Sequence, residues 1–123
     1  MLIKDFYTVV KVTLVEKELL HAHISLNKRH KIFEGHFPGN PVTPGVCMIQ
    51  IIKEIVEKHL EKKLFLERIS NVKFTALINP HVNPELLMEV SIAEIDGVVK
   101  VKNISKFADG VIALKCNGTF ILG

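Results

Sequence analysis

The sequence predicts a single α+β domain in which one long helix packs on a curved antiparallel sheet. Three observations carry this prediction: six runs have strand-like patterning, one helical run follows the second of them, and Asp-Gly pairs separate the last three. With 123 residues, 48% of them hydrophobic, the chain has the size and composition of one globular domain, residues 1–123.

The strands are rich in β-branched and aromatic residues, and each is bounded by turn-forming residues. Lys17 and Glu18 separate the first two and predict a hairpin there. Asp96-Gly97 and Asp109-Gly110 predict two further hairpins, because Asp-Gly suits tight turns between paired strands. The predicted strands are Phe6–Glu16, Leu19–Leu26, Ile69–Ile78, Leu86–Ile95, Val98–Phe107 and Val111–Leu122.

The helix follows an irregular segment, residues 27–43. We expect Thr43 to be its N-cap and Pro44 its first residue, and we expect it to extend to about Lys62. Its first two turns are apolar nearly all round, whereas its later part has a charged face. Because one sheet cannot cover a helix that is apolar on every side, the pattern favours a dimer that shares this region.

Composition and charge exclude several classes of protein. The net charge of +3 is spread along the chain without a basic block, so we expect no nucleic-acid partner. No apolar run reaches the roughly 20 residues that a membrane-spanning helix needs, and the N-terminal residues lack a secretory pattern, which predicts a cytoplasmic protein. Cys47 and Cys116 are expected to be buried thiols.

We predict no cofactor and no metal site. His21 and His23 alternate onto one face of a strand, but no third ligand has suitable spacing, so a solvent-facing pair is the favoured interpretation.

The segment GHFPGNPVTPGV, which begins at Gly35, combines a histidine with many glycines and prolines. Proline fixes φ and glycine permits conformations closed to other residues, so we expect one defined loop shape that aims His36. The helix that follows would turn free N–H groups and its positive dipole end toward this loop. A thioester carbonyl bound at the Gly45 amide would be polarised, and His36 could remove a proton from the neighbouring carbon.

These residues, with the ISNVKF run that begins at Ile69, closely resemble the β-hydroxyacyl-(acyl carrier protein) dehydratases of fatty acid synthesis, which have the hotdog fold. The resemblance covers nearly the whole chain. It implies a dimer with an acyl tunnel at the subunit interface, a histidine base matching His36 and a carbonyl-binding amide matching Gly45. The remaining residues that we expect to line the pocket are Val46, Phe33, Phe37 and Pro44.

In that family an acidic residue on the helix of the other subunit assists the histidine, and its position here is Gln50. An amide can hold a hydroxyl group by hydrogen bonding but cannot deliver a proton as a carboxylic acid does. His36 could act alone while Gln50 positions the hydroxyl, Glu54 could reach in from the next helical turn, or a heterodimer could supply the acid from another hotdog chain. From periodicity alone, Gln50 could also be the first residue of the solvated helix stripe.

The leading hypothesis is therefore a 3-hydroxyacyl thioester dehydratase, a hydro-lyase, that acts on acyl chains carried by the phosphopantetheine of acyl carrier protein. A non-catalytic acyl-carrier-binding or partner subunit is the alternative. A hotdog thioesterase ranks third, because Gln50 replaces the carboxylate that would activate water.

Overall fold

The computed structural model describes residues 5–35 and 42–123. Six strands and two helices follow one another along the chain. They are β1 (Tyr7–Glu16), β2 (Leu19–Leu26), the short helix α1 (Ile32–Gly35), α2 (Gly45–Leu60), β3 (Leu64–Phe74), β4 (Glu85–Ile95), β5 (Val98–Phe107) and β6 (Ile112–Leu122). The predicted α+β architecture, with one long helix and one antiparallel sheet, is confirmed.

All strands belong to one sheet with the order β1-β2-β4-β5-β6-β3, and every neighbouring pair is antiparallel. Alternate residues of β2, β4 and β5 are buried, because their side chains point to the face that α2 covers. The helix contributes six buried side chains to the same core: Cys47, Met48, Ile51, Ile52, Ile55 and Val56.

The predicted hairpins form where turn residues occur in the sequence. Asp96 and Gly97 both have positive φ, 51° and 78°, as a two-residue turn between β4 and β5 requires. In the last hairpin Gly110 has φ of 91°, and the N–H of Val111 donates to the Asp109 carboxylate. Short-range turn chemistry therefore placed both connections correctly.

The helix start was predicted one residue too early. Pro44, not Thr43, occupies the N-cap position, because its ψ of 147° is extended. Its carbonyl accepts the N–H groups of Cys47 and Met48. The hydroxyl of Thr43 makes no capping bond and has no partner among the described residues, although the residue is buried.

The third strand was also predicted too late in the chain, at Ile69–Ile78. It begins at Leu64, which pairs with Leu122 of β6, and ends at Phe74. Ile78 is instead fully buried in the irregular segment that follows, and its carbonyl accepts the N–H of Thr43. Ile78 is therefore apolar because it lies in a buried loop, and that loop is hydrogen-bonded to the segment preceding α2.

Candidate functional site at the N-terminal half of helix α2

The N-terminus of α2 offers backbone donors at Gly45, the first helical residue. N–H groups in the first turn of a helix have no partner within the helix, and they carry its positive dipole end. The first turn of α2 contains no acidic side chain that would neutralise this end, whereas Lys58 and His59 lie in the last turn. The site therefore suits a partially negative oxygen.

Gly45 is closely covered by the ring of Phe74 at the end of β3. A Cβ atom built on Gly45 would lie 3.4 Å from Cε2 of Phe74. A side chain here would therefore fill the space between the helix end and the ring. Pro44 precedes Gly45 and is only partly exposed.

One face of the helix carries Val46, Gln50 and Glu54, which are four residues apart and therefore aligned. Val46 is 71% exposed, whereas Gln50 and Glu54 are partly buried. This face is opposite the side chains that α2 buries against the sheet. Gln50 thus lies one turn from the exposed Val46 and about one turn and a half from the helix N-terminus.

The Gln50 side chain is part of a hydrogen-bonded chain of three residues. Its Nε2 donates to Oε2 of Glu54 at 2.8 Å, and the Tyr7 hydroxyl donates to Oε1 of Glu54 at 2.7 Å. Burial raises the pKa of Tyr7 well above its ordinary value, and the Glu54 carboxylate adds to this shift. Tyr7 is therefore a neutral donor at pH 7.

Two of the predicted site residues, His36 and Phe37, lie outside the described residues. Phe33 is buried at 4% exposure and stacks on Phe6, with ring centroids 5.3 Å apart. A role for Phe33 as a pocket wall stays a prediction. The structure places Gly45, Val46 and Gln50 in the N-terminal half of α2 and Pro44 at its N-cap.

A groove of about 650 Å³ lies between β1 and the C-terminal half of α2. Tyr7 and Glu54 line it together with Val10, Lys58 and His59. Sequence reasoning missed Tyr7, because its contact with Glu54 joins residues 47 positions apart. A tyrosine at the start of a strand carries no pattern that would reveal such a contact.

The histidines of β2 and the two cysteines lie away from the N-terminus of α2 or within the core. His23 contacts Oε1 of Glu85 at 2.7 Å. Among residues 5–35 and 42–123, no group of three His, Cys, Asp or Glu residues could hold a metal. Cys47 and Cys116 are buried free thiols, and burial raises the pKa of both. Within the same residues, no helix is long and apolar enough to span a membrane.

Comparison with known proteins assigns the class. The hotdog arrangement of helix and sheet, and a match of residues 12–110 to the family model described as ApeI-like, ApeI dehydratase, identify a hotdog protein of the β-hydroxyacyl-(acyl carrier protein) dehydratase class. Within that class, the chain belongs to the ApeI-like dehydratase family.

Curated relatives agree with this assignment. The chain is 27% identical over 109 residues to the 3-hydroxyacyl-[acyl-carrier-protein] dehydratase FabZ of Clostridium acetobutylicum. The aligned region covers 83% of this chain and 74% of the relative. It is 33% identical over 90 residues to FabZ of a Caulobacter species, and that aligned region covers 66% of this chain and 55% of the relative. The chain thus spans only about half of the second relative's length.

Solved structures share the fold. The dehydratase heterocomplex ApeI:P of Xenorhabdus doucetiae is similar with a TM-score of 0.76 and 19% identity, over 93% of this chain and 96% of that one. A hypothetical thioesterase of Streptococcus pneumoniae, solved with coenzyme A, has a TM-score of 0.67 and 10% identity, over 95% of this chain and 85% of that one. At these identities the likeness concerns the fold.

Proposed function

We propose that this protein is a dehydratase that removes water from a 3-hydroxyacyl thioester carried by acyl carrier protein. The family match over residues 12–110 carries the proposal. The helix geometry supports it, because Gly45 begins a long helix whose first turn lacks an acidic side chain. In the proposed complex the Gly45 amide binds the thioester carbonyl and stabilises negative charge that develops on its oxygen.

In the proposed reaction His36 takes the proton from C2 and returns it to the hydroxyl oxygen on C3. The C3–O bond breaks, the C2=C3 double bond forms and water leaves, while the thioester stays intact. Gln50 holds the hydroxyl by a hydrogen bond. Glu54 is unsuited to act as the acid, because both of its oxygens already accept hydrogen bonds, from Tyr7 and Gln50.

The test is the loss of conjugated-thioester absorbance when an enoyl-(acyl carrier protein) is hydrated by wild type, His36→Ala and Gln50→Glu. We expect wild-type activity and a drop of about 100-fold or more in His36→Ala, because removing a general base typically costs that much. His21→Ala is the matched control, because His21 is exposed in β2 on the other strand face from the buried Ala22, and it should retain full activity.

A second candidate function is that of a partner subunit that binds the carrier but does not react alone. It is favoured by the amide of Gln50, which occupies the helix position where the resemblance places an acid. It also fits the solved neighbour described as a dehydratase heterocomplex. Activity only in Gln50→Glu, or only after mixing with a hotdog chain bearing Glu or Asp there, would replace the first proposal with this one.

Release of free thiol from the acyl thioester would instead indicate a thioesterase. Structural neighbours described as thioesterases show that the fold accommodates that reaction. Gln50, however, provides an amide, and the carboxylate beside it, Glu54, is already hydrogen-bonded to Gln50.

A further inference from the structure

The orientation of the Gln50 amide follows from its neighbour. An ionised carboxylate only accepts hydrogen bonds, so the Gln50 atom that faces Glu54 at 2.8 Å has to be the nitrogen. Tyr7 donates to the other carboxylate oxygen, so each oxygen of Glu54 accepts one hydrogen bond. The carbonyl oxygen of Gln50 therefore lies on the side of the amide that points away from Glu54.

The chain of three residues also resists rearrangement. If the Gln50 amide turned over, two acceptor oxygens would face each other at hydrogen-bond distance, and one partly buried amide hydrogen bond would be lost. Glu54 cannot easily move to relieve this contact, because it is held by Tyr7 in β1, an element remote in sequence. An unpaired glutamine at the same position would present either end of its amide.

We infer that Glu54, held by Tyr7, is a positioning residue that engages the nitrogen of the Gln50 amide, so that its carbonyl oxygen, a hydrogen-bond acceptor, is the end that faces the bound acyl group. The inference deepens the proposed function, on which it rests. A 3-hydroxyacyl group can donate its hydroxyl hydrogen to this oxygen, whereas a 3-oxoacyl group offers only an acceptor and would face an acceptor. The arrangement therefore selects the hydroxyacyl over the oxoacyl thioester.

Donation in this direction also suits water removal. When the hydroxyl hydrogen is bound to Gln50, the lone pairs of the hydroxyl oxygen remain free to receive the proton with which it leaves as water. Tyr7 contacts Glu54 and Glu54 contacts Gln50, so both act through the Gln50 amide.

The test is the ratio of two dissociation constants, measured by calorimetry on the full-length protein. The probes are the amide analogues of 3-hydroxyoctanoyl and 3-oxooctanoyl pantetheine, in which nitrogen replaces the thioester sulfur, so no turnover is needed. We expect wild type to prefer the hydroxyacyl probe by about tenfold, the typical effect of one hydrogen bond against a mismatched pair. In Glu54→Gln the amide at position 54 can donate to Gln50, which lets Gln50 turn, so the ratio should fall to about one or invert.

Glu61→Gln is the matched control, because Glu61 is exposed just after α2 and its side chain has no hydrogen-bond partner within residues 5–35 and 42–123. It should keep the wild-type ratio. Tyr7→Phe provides a second variant that keeps the ring, and it should lower the ratio by about two- to threefold because it removes one of the two donors to Glu54. It carries the test if Glu54→Gln does not fold.

An unchanged ratio in the folded Glu54→Gln and Tyr7→Phe variants would overturn the inference, as would equal binding of both probes, or of neither, by wild type. The enoyl hydration assay decides the proposed function separately. A protein that hydrates the enoyl thioester but shows no probe preference is a dehydratase whose Gln50 is not oriented in this way. A protein with the preference but without hydration activity keeps the inference and loses the proposed reaction.

Discussion

At the scale of single residues, the main departure from expectation is the surroundings of Gln50. From periodicity alone Gln50 could be the first residue of the solvated helix stripe, whereas the family resemblance implied a role in the acyl pocket. The structure places it partly buried and bonded to Glu54, which in turn accepts the Tyr7 hydroxyl. Glu54 is thus a hydrogen-bond acceptor for two neighbours, and the idea that it reaches in as the acid is not supported by this geometry.

The absorbance of Tyr7 reports on its hydrogen bond to Glu54 without interference, because the protein contains one tyrosine and no tryptophan. Burial, followed by the hydrogen bond to Glu54, raises the pKa of Tyr7. We expect tyrosinate absorbance in the folded protein to appear at a higher pH than in the denatured chain, which titrates near pH 10. Glu54→Gln should lower the folded value only in part, because burial remains. Equal titration curves for folded and denatured protein would contradict the described contact.

The same shift gives the sign of the pH dependence. Above about pH 10 the unfolded chain loses the tyrosine proton while the folded state keeps it, so folded protein binds more protons and stability falls as pH rises. The contribution is fully present below the unfolded pKa and is lost as the pH rises through the folded value. Tyr7→Phe should flatten this alkaline decline in denaturant unfolding.

At the scale of elements, the joint between α2 and β3 depends on one side chain. Oε2 of Glu57 accepts the backbone N–H of Leu64 at 2.8 Å, and Leu64 is fully buried. The Glu57 carbonyl also accepts the N–H groups of Glu61 and Lys62. The helix therefore ends where its last turn can bond to the start of the edge strand.

We expect Glu57→Ala to lower the free energy of unfolding by about 2 kcal/mol, because the N–H of Leu64 would lose its charged acceptor. Glu57→Gln should cost about half as much, since the amide oxygen can still accept the bond. Chemical denaturation with circular dichroism measures both values. Equal losses in the two variants would show that the negative charge of Glu57, and not merely an acceptor oxygen, is what this joint requires.

At the scale of the whole molecule, the edge strand β3 exposes apolar side chains on the same face of the sheet that packs against α2. Leu66, Val72 and Phe74 of β3 are 46%, 37% and 36% exposed. Their partners in β6 are the buried residues Phe120, Cys116 and Leu114. Since paired residues share a face of the sheet, these three apolar side chains lie on the side that packs against α2.

We therefore expect a second copy to cover this edge, and Val72→Lys to convert a dimer into a monomer in sedimentation experiments. A buried lysine without a partner would oppose association. Ile95→Lys is the control, because Ile95 is 66% exposed at the end of β4, beside the hairpin turn, and should leave the dimer intact. A dimer that withstands Val72→Lys but dissociates with Val10→Lys would place the interface at β1, the opposite edge.

Local chemistry determined much of this protein. Period-two alternation and the Asp-Gly turns identified β4, β5 and β6 to within one residue, because strand faces and tight turns depend on neighbouring residues. The motif around Gly45 identified the family and predicted a site at the start of α2. The resemblance also predicted Gln50 as the position at which this chain departs from the family's acid.

Tertiary structure alone decided the features that join distant segments. The start of β3 at Leu64 depends on pairing with β6, and the backbone hydrogen bond from Thr43 to Ile78 joins two segments that are distant in the sequence. The contact between Tyr7 and Glu54 has no local signal, because it forms only when β1 lies beside the helix. The sequence determined that position 50 carries an amide, and only the folded chain decided that the nitrogen of this amide donates to Glu54, since hydrogen bonding depends on the partner brought into reach.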